Sequence, residues 1–514
     1  MELILKSYSW SRDKSVAVCG CFYAAGKWCV GESALSYFAD VVDEHDLVSR
    51  LAGINGQFAV VINSSSLCAI AIDFTRLYPL YYSDDGKISD DPYLLPHGNT
   101  MSELAIAHYD ASGAVQAGLT LFADIKQLKP SHYIVFGKTT EQKEYAHYYC
   151  TKKEEQQVEL SKAIDVFDNV FKRLCVFVGN RQIVVPLTAG NDSRLIACML
   201  KKNGCTNVLC YTVGKPQSKE IKVAQHTAHT LGFRYEHIDV SDSEGLKLCY
   251  SDKQRFTAYT RFIGGYTNFM WLYDYVAIQK LQQKGLIDDD AIFMPGHSAD
   301  SIAGSHLSKA NVYPNDSALS LTRKILYISN EYQYNKSLYK PVLNYFQDML
   351  SHGVSSYSAY NNYIIVERHA QNIINSARVF KFFNYEIIMP FWDTDIIEMF
   401  RKLPYQQLKN CSLYMQFVQR LFDDFGIGEA QKTEHINSRI IIAKRFFKRC
   451  VPLQIGYSKA HVFTDLGEGE LCQPMLKQLI DNGVFVFKRE GLNANQIMKE
   501  WYLMQVSGKN SNGN

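Results

Sequence analysis

The chain has 514 residues, 47% of them apolar and 21% charged, with a formal net charge of +2. That length exceeds one hydrophobic core, so two or three globular domains are expected. The near-neutral charge offers no bulk attraction to nucleic acid or to an anionic membrane, and no apolar run approaches the ~20 residues of a membrane span. Residues 1–15 hold no long apolar stretch ahead of their charges, which argues against a secretory signal. The 13 cysteines are scattered and form no paired CxxC with zinc spacing. They read as reduced thiols, and the expected compartment is the cytoplasm.

Short β-rich runs come first, at residues 17–23, 56–62, 67–72, 80–82 and 132–136, separated by Gly, Asn, Asp and Ser clusters. They predict an antiparallel domain of two packed sheets. Asp73 and Arg76, in a segment between two runs, are expected to make a turn and an ion pair. The polar stretch around Glu154, Glu155 and Glu159 marks a boundary, giving units at 1–155 and 156–506, with a disordered tail at 507–514. An amphipathic helix follows the boundary, carrying Ile164, Phe167, Val170, Phe171 and Leu174.

The most informative stretch runs from Val184 to Arg194. Ile183, Val184 and Val185 lead into Leu187, Thr188, Ala189, Gly190, Asn191, Asp192 and Ser193, and helical spacing resumes at Leu195, Ile196, Met199 and Leu200. The pattern is strand, tight small-residue loop, helix. Such a loop turns backbone N–H groups toward one point, and the helix adds the positive end of its dipole. An anion is the expected guest. Asp192 repels a phosphate unless a magnesium ion lies between them. A second strand (208–213), a helix (219–231) stopped by Gly232 and a third strand (234–240) continue the alternation. This predicts an α/β fold with a doubly wound parallel sheet and ligands at the C-terminal strand ends.

Further along, Ile292 to Asp300 reads as a strand breaking into a small-residue loop, PGHSAD, continued by Ser301 and His306. Glu367 and Arg368 lie in a helical stretch, and Glu386 and Asp393 flank IIMPFW. The run Lys444, Arg445, Lys448, Arg449 is spaced for one solvated helical face.

TAGNDS resembles the SGGxDS pyrophosphate loop of the ATP pyrophosphatases, and YTVG (211–214) resembles the adenine-contacting segment of asparagine and β-lactam synthetases. GHSADSIAGSH is similar to the GxGxDExxxGG loop of asparagine synthetases, with His297 and Ser301 standing where acids are usual. EIIMPFWD resembles their ExRxPFxD segment. GINGQFA (53–59) and DFTRLYPLYY (73–82) look like class II glutamine amidotransferase segments. The chain is thus identified as resembling the asparagine synthetase family over most of its length, with a degenerate amidotransferase-like first half. That family uses a cysteine at position 2; here Glu2 stands there and the first cysteine is Cys19, inside a predicted strand, so no glutaminase is expected.

The resemblance implies ATP and Mg2+ as cofactors and an AMP- and pyrophosphate-forming amide ligase. A small-molecule carboxylate, with sugar uronic acids of surface polysaccharide pathways as one candidate class, would be adenylated and then attacked by ammonia or an amine. It implies ATP or pyrophosphate contacts from Leu187 to Ser193, Thr212, Val213 and Gly296, and metal ligation by Asp192 and Asp300. Catalytic roles fall to Asp192, His297, Asp300 and Lys432, with Lys444 and Lys459 as alternatives to Lys432. Glu367, Arg368 and Glu386 are the substrate-binding candidates. His297 would bind an anionic substrate, act as a base near neutral pH, or be a loop histidine with structural hydrogen bonds. Two alternatives stay open: a β-lactam-synthetase-type ligase using a substrate amine, and a non-catalytic nucleotide-binding or scaffold protein. The partner set is small molecules, with a separate glutaminase or a homodimer as open additions, and neither nucleic acid nor membrane.

Overall fold

The computed structural model describes residues 2–137, 141–216, 218–329, 334–430, 467–484 and 493–508. The chain is mixed α/β. Eleven short strands fill its first part: β1 (Glu2–Ile4), β2 (Ser11–Arg12), β3 (Val16–Ala24), β4 (Lys27–Val30), β5 (Ile54–Asn63), β6 (Cys68–Ile72), β7 (Tyr81–Ser83), β8 (Lys87–Ser89), β9 (Ile125–Gln127), β10 (His132–Val135) and β11 (Lys143–Glu144). One sheet has the order β11-β10-β6-β5-β3-β2, with β4 beside β3; the other has the order β1-β8-β7-β9. Pairing is antiparallel apart from β1 with β8, which is parallel.

Alternation along the central strands explains why both faces of the larger sheet are covered. Ala17, Cys19, Ala59 and Val61 point to one side and join a core with Tyr81, Ile88 and Ile125 of the smaller sheet. Val16, Val18, Val60 and Ile62 point to the other and meet Phe38 of α1 (Glu32–Phe38) and Leu47 and Leu51 of α2 (Glu44–Ala52). The expected turn at Asp73 is present, but the expected ion pair is not. The Asp73 carboxylate accepts from the Thr75 N–H at 2.8 Å, while Arg76, buried at φ 54°, donates to the Tyr81 hydroxyl at 3.3 Å. A turn this tight engages Asp73 Oδ2 locally and aims Arg76 elsewhere, leaving the buried Oδ1 without a partner among the described residues. Cys19 is buried in β3, and burial pushes its thiol up.

Helix α4 (Leu160–Val178) carries the predicted apolar face, with Phe167 stacked on Phe417 at 4.4 Å. The second part is built on a five-stranded sheet: β12 (Ile183–Pro186), β13 (Val208–Val213), β14 (Arg234–Ile238), β15 (Ile292–Phe293) and β16 (Glu386–Ile387). All four pairings are parallel, in the order β14-β13-β12-β15-β16. Helix α5 (Asn191–Lys202) follows β12, and α6 (Lys219–Leu231) follows β13 and ends at Gly232 in the left-handed conformation, φ 73°. The first three strands therefore march one way from β12 and the last two the other. The order reverses between β12 and β15, which opens a crevice at their C-terminal ends.

The two parts share contacts. Asn55 of β5 donates to Asp393 at 2.9 Å and accepts from the Thr394 N–H at 2.8 Å. Arg173 of α4 pairs with the same Asp393 at 2.5 Å and with Asp395 at 2.7 Å. The Trp28 indole donates to the Arg173 carbonyl at 3.1 Å. Among the described residues, no helix is long and apolar enough to cross a membrane, and the cysteines are free thiols. The expected tail lies outside the described residues beyond Gly508.

Candidate functional site

The loop between β12 and α5 stands at the reversal point. It is closed on itself by short hydrogen bonds. The Thr188 N–H donates to Ser193 Oγ at 2.9 Å, and the Gly190 N–H donates to Thr188 Oγ1 at 3.1 Å. The Ala189 N–H donates to Glu220 Oε1 of α6 at 3.0 Å. Backbone N–H groups removed from bulk water must find acceptors, and here side-chain oxygens provide them. The three loop donors expected to cradle an anion are thus already engaged. The start of α5 keeps its dipole, and its N-cap, Gly190, supplies no side-chain acceptor.

The loop after β15 packs directly on this one. A Cβ added to Gly296 would lie 2.6 Å from the Ser193 nitrogen and 2.9 Å from its Cα, so only glycine allows the approach. The approach brings two carboxylates together. The Asp300 N–H donates to Asp192 Oδ2 at 3.2 Å, and the Tyr414 hydroxyl donates to Asp192 Oδ1 at 2.6 Å. Burial, and next the negative charge of Asp300, push the Asp192 carboxyl up to about 7. Asp300 meets the Lys309 ammonium at 3.7 Å.

Around these groups lies a cleft of about 750 Å³. Tyr211, Val213, Tyr273, Phe380 and Met415 form its apolar walls, and Asp192, Glu220, Asp274, Asp300 and Lys309 its charged points. The Tyr211 hydroxyl donates to Asp274 at 3.1 Å, and burial raises that carboxyl to about 7.

A chain of hydrogen bonds braces the second loop from behind. Ser301 Oγ donates to Asp300 Oδ1 at 3.1 Å and lies 3.1 Å from His306 Nε2. His306 Nε2 is 2.8 Å from His369 Nε2, and His369 Nδ1 is 2.9 Å from Ser298 Oγ. With the Ser301 proton committed to Asp300, His306 Nε2 carries a proton, His369 Nε2 accepts it, and His369 Nδ1 donates to Ser298. Burial keeps both rings neutral, with His369 pushed down to about 3.

His297 lines the cleft, and burial holds it down to about 4. Burial thus favours the neutral ring over the cationic form expected to meet an anionic substrate. Its Nδ1 is buried and has no hydrogen-bond partner among the described residues.

The structure brings Leu187, Thr188, Gly190, Asn191, Asp192, Ser193, Val213, Gly296, His297 and Asp300 to one cleft. It places other candidates off it. Ala189 is buried behind the loop, and Thr212 donates to the Leu187 carbonyl at 2.7 Å, bracing the strand ends. Glu367 accepts from the Ala117 N–H and from Gln371, both at 2.8 Å, so it ties the two parts together. Arg368 is next to it, outside the cleft lining, and its charge helps hold His306 and His369 neutral. Glu386 is exposed on β16 and pairs with Lys381 at 3.1 Å. Lys432, Lys444 and Lys459 lie outside the described residues. Sequence reasoning missed Glu220, Asp274, Lys309 and Tyr414. Glu220 sits beside the Ser218 N-cap of α6, a signal that could have placed it at a strand end facing the loop; the other three carry no spacing signal.

The paired carboxylates fit a hard divalent cation. Asp192 and Asp300 offer oxygen donors only, and their mutual repulsion is what a cation between them would relieve. Elsewhere among the described residues, Asp43, His45 and Asp46 converge, but they are at the start of α2, where Asp43 caps the helix through the Asp46 N–H. No protein-family model matches the chain, and no curated protein matches it.

Proposed function

We propose that the chain is an ATP-dependent, AMP- and pyrophosphate-forming amide ligase acting on a small-molecule carboxylate. One observation carries this reading: the loops after β12 and β15 meet at the reversal point of a parallel sheet, with Asp192 and Asp300 joined across it. Residues 156–506 would be the ATP pyrophosphatase-type unit, and residues 1–155 an amidotransferase-like unit whose role is docking.

Asp192 and Asp300 would hold magnesium, which shields phosphate charge when bound. Tyr414 orients Asp192, and the Ser301–His306–His369–Ser298 chain orients Asp300. The start of α5 lines the cleft and would face the phosphates, and Tyr211 and Val213 of the same lining would offer apolar surface to a flat base. Neutral His297 serves as a hydrogen-bonding group for the carboxylate or the incoming nitrogen. Cys19 is buried in β3, and nitrogen would come from ammonia, a separate glutaminase or a substrate amine.

The test is pyrophosphate release from ATP and magnesium with a panel of carboxylates, uronic acids included, each with ammonium or an amine. Release that requires an acid supports the reading; no release with any acid, from folded protein, defeats it. The engaged loop donors favour a second reading, a non-catalytic scaffold. On that reading Asp192→Ala leaves the protein's cellular phenotype intact, whereas a ligase loses it.

A further inference from the structure

Five charged side chains line the cleft among the described residues. Four are acids, Asp192, Glu220, Asp274 and Asp300, and the fifth is Lys309. A phosphate entering this space meets an excess of negative charge. It also finds the N–H groups of Thr188, Ala189 and Gly190 already bonded to Ser193, Glu220 and Thr188. Direct positive charge within the described cleft therefore comes from one side chain.

Lys309 is placed to deliver it. Its Nζ lies 3.7 Å from Asp300 Oδ2, beyond the usual length of a charge-assisted hydrogen bond, and its side chain is 34% exposed. It is thus loosely held and open to the cleft. It ends the short helix Ser305–Lys309, whose His306 is fixed between Ser301 and His369, so the backbone beneath it is anchored while the ammonium is not. The three nearby histidines are neutral and do not compete as cations.

Resting on the proposed reaction, we infer that Lys309 is the anion-binding cation of the cleft: Asp300 holds it while the cleft is empty, and it passes to a phosphate oxygen of the nucleotide when a divalent cation takes Asp300. No covalent step is involved. The hand-over would make the two ligands cooperative, because a cation held by Asp192 and Asp300 would release the Lys309 ammonium to pair with the phosphate.

The test is calorimetric titration of the full chain with inorganic pyrophosphate, in magnesium and in EDTA, for wild type, Lys309→Met and Lys309→Arg. Melting temperatures confirm that the variants fold. The expected result is a loss of about tenfold or more in Lys309→Met with magnesium, a clearly smaller loss in EDTA, and recovery in Lys309→Arg. Equal losses with and without magnesium overturn the hand-over. Affinity within twofold of wild type overturns the role of Lys309 in holding phosphate, including the case where Lys309→Met instead raises KM for a carboxylate. If wild type takes up neither pyrophosphate nor ATP with magnesium, the proposed reaction itself fails.

Discussion

Replacing Glu468 with glutamine is expected to stabilise the protein, and increasingly so at high pH. Glu468 opens the short helix Glu468–Leu471, is 3% exposed, and its Oε1 has no hydrogen-bond partner among the described residues. Burial, and next the charge of Asp274, raise its carboxyl from 4.5 to about 8. The sign follows from proton counting. Between 4.5 and about 8 the folded chain holds a proton that the unfolded chain has released, so stability falls as pH rises through that window. At about 1.4 kcal/mol per pH unit, the interval sets a ceiling of about 5 kcal/mol, fully lost above pH 8. Glutamine has the same shape and no charge to desolvate. Urea unfolding at pH 5 and pH 8.5 should show Glu468→Gln within about 1 kcal/mol of wild type at the lower pH and about 3–5 kcal/mol more stable at the higher. Parallel pH dependence in the two proteins would refute the reasoning, because the carboxyl would then titrate alike in both states.

Asp393→Ala should destabilise by about 3 kcal/mol or more, since it strips a buried partner from Arg173 and Asn55 and removes the cap on the Asp395 N–H; Asp393→Asn, which can keep the cap, should cost less by the same urea assay. Gly296→Ala should separate the two loops, because backbone atoms of Ser193 stand 2.6 and 2.9 Å from the new methyl and cannot rotate away. A stability loss of about 1–3 kcal/mol with at least tenfold weaker ATP affinity is expected, and unchanged affinity would mean the loops do not form one site.

Local periodicity made much of the fold legible. The runs at 17–23, 56–62 and 208–213 became β3, β5 and β13 because each alternates or buries a continuous apolar face between turn residues. Gly232 ended α6 where expected, because a left-handed cap favours glycine. The two central loops of the site were also visible, since small, conformationally permissive residues after an apolar run mark a tight turn. What escaped depends on distance along the chain. Tyr414 reaches Asp192 across 222 residues, and β15 and β16 are two residues each, too short for any period. The pairing of Glu220 with the Ala189 N–H needed the α6 register as well as the loop. The burial of His297, which favours its neutral ring, is likewise invisible in a loop sequence. Asp73 and Arg76 were adjacent to the same turn, but side-chain direction, not proximity, decided their partners.

The central claim is that a metal held by Asp192 and Asp300 joins the phosphates of ATP to the cleft. Calorimetric titration with the α,β-methylene analogue of ATP, in magnesium and in EDTA, for wild type and Asp192→Asn, tests it most directly. The account predicts a magnesium-dependent heat in wild type that Asp192→Asn lacks while its melting temperature is not lowered. Equal affinity in the two proteins, or affinity indifferent to magnesium, would contradict it.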